Sequence, residues 1–297
     1  IEVAAGAAGI GFGVVGAAGS VVVNLIDSRT LAYISGAGTQ VIGLARNADD
    51  ALSVHNGALK NTPNVGATPD EDSFAWYDLE GAKKNVTGVA VNAFSTQQVG
   101  SVAVTGGGSV MGAGIAGTSD VHLLSGETKA YMDGSATVNG DNTGAGAGQD
   151  VDILSASHSY VSSFATGAAV GAGGLGGALS STTIDRATSA YADQAALQAS
   201  NAVQVRAQSG QGVQALGISL GGGVAGGAGM GVVAILDGTT EAYLEDSTVN
   251  SATLDVAAES RSGVNLVGGS AAAGAGTVGA AVAVAISDST TRAAIYG

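Results

Sequence analysis

The tetrapeptide Thr-x-Ala-Tyr occurs at Thr30–Tyr33, Thr128–Tyr131, Thr188–Tyr191 and Thr240–Tyr243, with a degenerate fifth copy at Thr291–Ala294. Recurrence at a spacing of about fifty residues marks a solenoid or array, and it limits the chain to folds in which one unit stacks on copies of itself. A second marker travels with the first. Val89, Val91, Ala93 and Ser95 alternate along one segment, and the same pattern returns at Val151, Ile153, Ser155, Ser157, at Val203, Val205, Ala207, Ser209, and at Leu254, Val256, Ala258, Ser260. A period of two is that of a β-strand with one buried face.

From the closing Ser of each strand motif to the next Tyr, or Ala294, the distances are 36, 34, 34 and 34 residues, whereas from each Tyr to the next strand motif they are 56, 20, 12 and 11. Length therefore varies in only one connection of the repeat. Stacked strands cannot gain residues without losing register, but a loop at one corner can grow. The chain reads as a single all-β solenoid segment over 1–297, with a large insertion at about 47–87 and a smaller one at about 139–149.

Composition agrees with a thin β wall. There are 50 glycines, 4% aromatic and 11% charged residues, and two prolines. So few large side chains cannot fill a thick core, which leaves closely spaced sheets lined by small residues. Disorder is disfavoured because the chain is rich in β-branched residues and poor in charge. Charge-free runs such as Val3–Val23 and Gly210–Leu236 are long enough to cross a bilayer as helices, yet glycine interrupts them and neither Lys/Arg flanks nor aromatic belts accompany them. No membrane insertion is expected. A net charge of −14 likewise repels nucleic acid. With no cysteine, disulfides and thiolate metal sites are excluded, a usage that suits large exported bacterial proteins.

A unit of about fifty-one residues is expected to wind as two or three coils of a parallel β-helix, giving ten to fifteen coils and a rod on the order of 50–70 Å long. Turn chemistry is assigned to Asp27-Ser28, Ser125-Gly126, Asp237-Gly238 and Asp288-Ser289, which precede the Thr-x-Ala motifs. The chain begins at Ile1 inside a Gly/Ala stretch and stops just after a Thr-x-Ala motif, as a segment of a longer array would. Flanking repeats of the same polypeptide are then its first partners.

The Gly/Ala stretch, Val-x-Val strand, Asp-Gly or Asp-Ser pair, Thr-x-Ala-Tyr and the Thr-Val-Asn of Thr137–Asn139 and Thr248–Asn250 resemble repeats of giant bacterial filamentous adhesins, the haemagglutinin-like and leukotoxin-type surface proteins. The resemblance spans nearly the whole chain outside the large insertion. It implies a right-handed parallel β-helix at the cell surface or in the extracellular matrix, exported in many members by two-partner secretion, and it brings no catalytic residue.

Gly-x-Gly-x-x-Gly appears at Gly11–Gly16, Gly112–Gly117, Gly171–Gly176 and Gly274–Gly279. A dinucleotide site needs it once, between a strand and a helix, so here it is read as part of the repeat. No cofactor is expected. Two hard-cation candidates remain: the acidic run Asp70, Glu71, Asp72, and Gly146–Ile153, which resembles one turn of a calcium-binding nonapeptide roll but has no neighbouring copy. His55, His122 and His158 share no ligand spacing and no Ser-His-Asp order, and are assigned to the surface or the wall. The ladder residues Tyr33, Tyr131, Tyr191 and Tyr243 could offer an aromatic track to sugars, but a wall ladder with its hydroxyls in solvent is the favoured reading. Recognition is placed in the insertion, where Trp76 and Tyr77 join Asp70, Glu71 and Asp72. The competing reading of the insertion is a flap packed on the solenoid wall.

The functional expectation is a non-catalytic stalk segment of an extracellular filamentous adhesin, giving length and rigidity for adhesion or biofilm. Its partners would be host-cell or matrix polysaccharide or protein. A self-associating matrix or sheath filament, whose rods pack laterally, is the alternative, and a polysaccharide-acting β-helix enzyme is a third class.

Overall fold

The computed structural model describes residues 1–47, 51–61 and 79–297. It is a parallel β-helix with three walls. The first wall holds β1 (Glu2–Gly11), β6 (Gly88–Ser109), β9 (Asp150–Val170), β12 (Ala202–Gly222) and β15 (Thr253–Ala273), in that order. The second holds β2 (Val15–Ser35), β7 (Ala113–Asp133), β10 (Gly173–Asp193), β13 (Ala225–Glu245) and β16 (Gly276–Tyr296). The third is narrow, with β3 (Gln40–Val41), β8 (Thr137–Val138), β11 (Ala196–Gln198) and β14 (Thr248–Asn250). The Thr-Val-Asn motifs supply two of these short strands.

Winding departs from the expectation at one point: each repeat makes one coil. Asp150 pairs with Ala202 and Ala202 with Thr253, so a full repeat of 52 or 51 residues separates axial neighbours. The expected turns at Asp27-Ser28, Ser125-Gly126, Asp237-Gly238 and Asp288-Ser289 lie inside continuous strands of 21 residues. There the carboxylates of Asp27, Asp237 and Asp288 sit on the outward phase of the pleat, where a polar residue needs no turn. Five coils at about 4.8 Å give about 19 Å along the axis, while each long strand runs about 70 Å across it. The segment is a broad slab, not a rod.

Side-chain size sets the thickness of the slab. At the end bearing the third wall, Val91, Ile153 and Val205 of the first wall meet Met132 and Leu244 of the second and Val138 and Leu197 of the third. Midway, Val161 and Val213 pack on Leu124, Ile184 and Leu236. Toward the opposite end the inward positions are glycine and alanine. A Cβ on Gly107 would collide with the backbone oxygen of Ile115 across the interior, and one on Gly221 with that of Gly227. The recurrent Gly-x-Gly-x-x-Gly segments form this thin tip, where each first-wall strand turns into the second. The charge-free runs around Val3–Val23 and Gly210–Leu236 are the same strand–turn–strand units, and among the described residues no helix is long and apolar enough to cross a membrane.

Both insertions leave the coil between the third wall and the next first-wall strand. Asn139 braces the smaller one, accepting from the Gly43 amide (2.7 Å) and donating to Gln198 O (2.9 Å), while Gln149 donates to Gly43 O (2.8 Å).

Candidate functional site

Four tyrosines meet in one column because each Thr-x-Ala-Tyr falls on the same row of the second wall. Tyr33 pairs with Tyr131, Tyr131 with Tyr191, and Tyr191 with Tyr243. Inward Ala130, Ala190 and Ala242 alternate with them, which points the rings outward. Ring centroids are 5.2, 5.0 and 4.8 Å apart at interplanar angles of 10°, 5° and 1°. The ladder spacing of the sheet thus becomes a stack of aromatic faces. In the fifth coil Ala294 takes the position, and Tyr296, two residues on, meets Tyr243 edge-on at 6.4 Å with the Arg292 guanidinium 5.0 Å from its own ring centre. Burial in the stack, with Tyr243 and Tyr131 adding to it, pushes Tyr191 up to about 12. A sugar stacks on an open ring face, and here the rings cover one another's faces. What the column offers to solvent is ring edges and hydroxyls, bordered by Asp133, Asp193 and Glu245.

The described arms of the large insertion form a hairpin, β4 (Leu52–Leu59) with β5 (Gly81–Val86), lying on the outer face of the first wall. His55 stacks on Phe94 at 4.1 Å, and Leu59 packs with Tyr160, Leu79 and Phe94. Polar contacts fix the register: Asn92 donates to His55 O (2.7 Å), and His158 Nε2 donates to Gly57 O (2.7 Å). Lys84 donates to Asp152 (2.7 Å) and Gln204 (3.0 Å). Burial pushes the Asp152 carboxyl up against the pull of Lys84, and burial lowers both His55 and His158. The recognition candidates Asp70, Glu71, Asp72, Trp76 and Tyr77 lie outside the described residues.

Of the other cation candidate, Gly146–Ile153, the first residues form a corner rather than a coordinating turn. Gln149 N donates to Gly146 O (3.1 Å), Asp150 accepts from Asn201 (2.8 Å), and Asp152 is taken by Lys84. Among the described residues no group of three His, Cys, Asp or Glu could hold a metal ion.

Of the two placements read for His122, surface or wall, the structure gives the wall: it lies on β7 with its side chain fully buried between the two long walls. Its Nε2 lies 3.0 Å from Asp120 Oδ1 and 2.9 Å from Ser101 Oγ, and Asn24 donates to its Nδ1 (3.1 Å). Asp120 Oδ2 also accepts from Ser101 and Ser163 at 2.5 Å each, and Ser163 continues to Ser180 (2.7 Å). Burial opposes ionisation of Asp120, but His122, Ser101 and Ser163 outweigh it and hold the carboxyl below its ordinary range. In a hydrolytic relay the carboxylate and the hydroxyl occupy opposite ring nitrogens. Here both face Nε2, inside a closed wall, so the cluster braces the core. Strand phase could have located it, since Asp120 and His122 share the inward alternation of Ala116, Leu124 and Ala130.

No family model matches the chain, and neither a curated protein nor a solved structure matches it.

Proposed function

We propose that this chain is a non-catalytic structural segment of an extracellular filamentous adhesin on a bacterial cell surface, serving adhesion or biofilm as a rigid spacer. The observation that carries the reading is the register. Five coils repeat without an insertion inside any long strand, and the Tyr column and the inward apolar rows align across them. Such a stack resists bending and proteolysis because each coil closes its neighbour's backbone edge.

One observation favours the second reading, a laterally associating matrix or sheath filament. A coil of about fifty-one residues adds only about 4.8 Å of length but two faces about 70 Å wide. This geometry produces lateral surface more than reach.

Excising residues 202–252, one coil as the register defines it, tests the spacer role. The shortened chain is expected to fold with the same β signal, and cells displaying it to adhere as before. Cleavage of any member of a polysaccharide panel by the intact chain would overturn the non-catalytic reading.

A further inference from the structure

The outward rows of the second wall between the tip and the Asp27 row are uncharged on every coil and apolar except at Ser119, Ser181 and Thr183. One such row runs Leu25, Leu123, Thr183, Ile235, Ile286, and Val23, Val121, Ser181, Val233 and Val284 lie beside it. Leu25 is 72%, Leu123 43% and Ile286 51% exposed. Over these twelve residues of all five strands the only side chain that carries charge as a carboxylate, lysine or arginine is Asp120, which points inward, although the chain as a whole carries −14. The field measures about 40 Å by about 19 Å, on the order of 800 Å². That footprint matches the roughly 800 Å² per partner of a standard interface. On the first wall the hairpin covers the outer face around Asn92 and Phe94, while the half toward the tip exposes Val102, Val104, Val170 and Leu220.

We infer that this field is a docking surface for the same field of a second copy of this chain, the two related by a twofold axis parallel to the stack. Charge favours that occupant. The row bordering the field is acidic at Asp27, Asp185, Asp237 and Asp288 and would repel an anionic lipid surface. In the twofold arrangement the strands of the two copies run in opposite directions, so the acidic rows lie at opposite ends of the interface and face no like charge. Relief fits as well. Gly19, Gly117, Gly177 and Gly229 form an outward trough beside the apolar ridge, and a Cβ on Gly117 or Gly229 would meet nothing within 4 Å. The solenoid's own packing does not require glycine there, whereas close approach of another surface does. A twofold lets the ridge of each copy enter the trough of the other.

The inference rests on the structural-filament reading and selects its lateral form. Sedimentation equilibrium of the full chain across about 1 to 100 μM, the span of weak to moderate association, is expected to show a dimer. Leu123→Glu and, separately, the uncharged Gly177→Leu are each expected to weaken it at least about 100-fold with the far-UV spectrum and Tm unchanged. A single Ser119→Cys in this cysteine-free chain, labelled with pyrene, is expected to give excimer emission that dilution removes. The inference is overturned by a monomer at every concentration, by a dimer indifferent to both substitutions, by self-association without excimer, or by flotation with phosphatidylcholine vesicles in place of dimerisation. If one variant unfolds, the other and the pyrene signal decide. A folded monomer removes the lateral contact and leaves the spacer reading standing, whereas polysaccharide cleavage removes that reading.

Discussion

Replacing His122 with leucine is expected to destabilise the chain more than replacing Asp120 with valine, and to reverse the pH dependence of its stability. Asp120→Val installs the residue that register places on the same row in the first and fourth coils, Val22 and Val232. It strands little, since Ser101 keeps His122 at 2.9 Å and Ser163 keeps Ser180 at 2.7 Å. The loss is about 1–3 kcal/mol. His122→Leu leaves a carboxylate buried between the walls with two hydroxyls and no ring, a loss of about 3–5 kcal/mol at neutral pH. In the native chain the Asp120 carboxyl sits below its unfolded value, so its contribution is present above that unfolded value and is lost as pH falls through the folded one. In His122→Leu burial, the largest influence, outweighs the two hydroxyls that remain and raises the folded value, so the contribution is present below the unfolded value, about 3.9, and is lost as pH rises through the folded one. Urea titrations followed by circular dichroism from about pH 3 to 8 measure both variants and their double mutant, which is expected to recover most of the His122→Leu loss. A His122→Leu chain as stable as Asp120→Val, or one that weakens in acid like the parent, would refute the reasoning.

Adjacent glycines in β6 are expected to respond with opposite signs. Gly107→Ala drives a Cβ into the Ile115 carbonyl and costs about 1–3 kcal/mol, whereas Gly106→Ala meets nothing within 4 Å and gains up to about 1 kcal/mol, both read from urea midpoints. Acid is expected to release the hairpin before the solenoid unfolds. His55 and His158 are both held low, first by burial, so their contribution is present above the unfolded histidine value and is lost as pH falls below it. Limited proteolysis within residues 51–86 at pH 5 against pH 8 reads this out, and equal cleavage rates would contradict it. Arg186 is 1% exposed and, among the described residues, donates to neutral oxygens of Ser28, Ser125 and Ser95, with the Asp27 carboxylate acting on it only through space. Arg186→Met is therefore expected to fall within about 1 kcal/mol of the parent or above it in a thermal melt.

The repeat, the strand phase and the Tyr column were legible in the sequence because a solenoid writes its register into residue spacing. Val89, Val151, Val203 and Leu254 fall on one row, as the alternation requires. Coil count was not legible. Asp27-Ser28 and Asp237-Gly238 carry local turn propensity, and local propensity is silent about neighbouring strands that hold the backbone extended through those residues. The Ser101–Asp120–His122 cluster was hidden for a related reason, as its members come together through inter-wall packing across 19 to 21 residues of chain, with no motif spacing to announce them. The hairpin's anchoring depends on Lys84 reaching Asp152, 68 residues away, a pairing that no local pattern encodes.

The central claim is that one repeat makes one coil. Tyr33 and Ala294 lie on the same row, four coil steps apart. Spin labels on Tyr33→Cys and Ala294→Cys, measured by pulsed electron resonance in this cysteine-free chain, are expected about 19 Å apart before allowance for the linkers. A separation of about 38 Å or more, the value for two or three coils per repeat, would contradict the account.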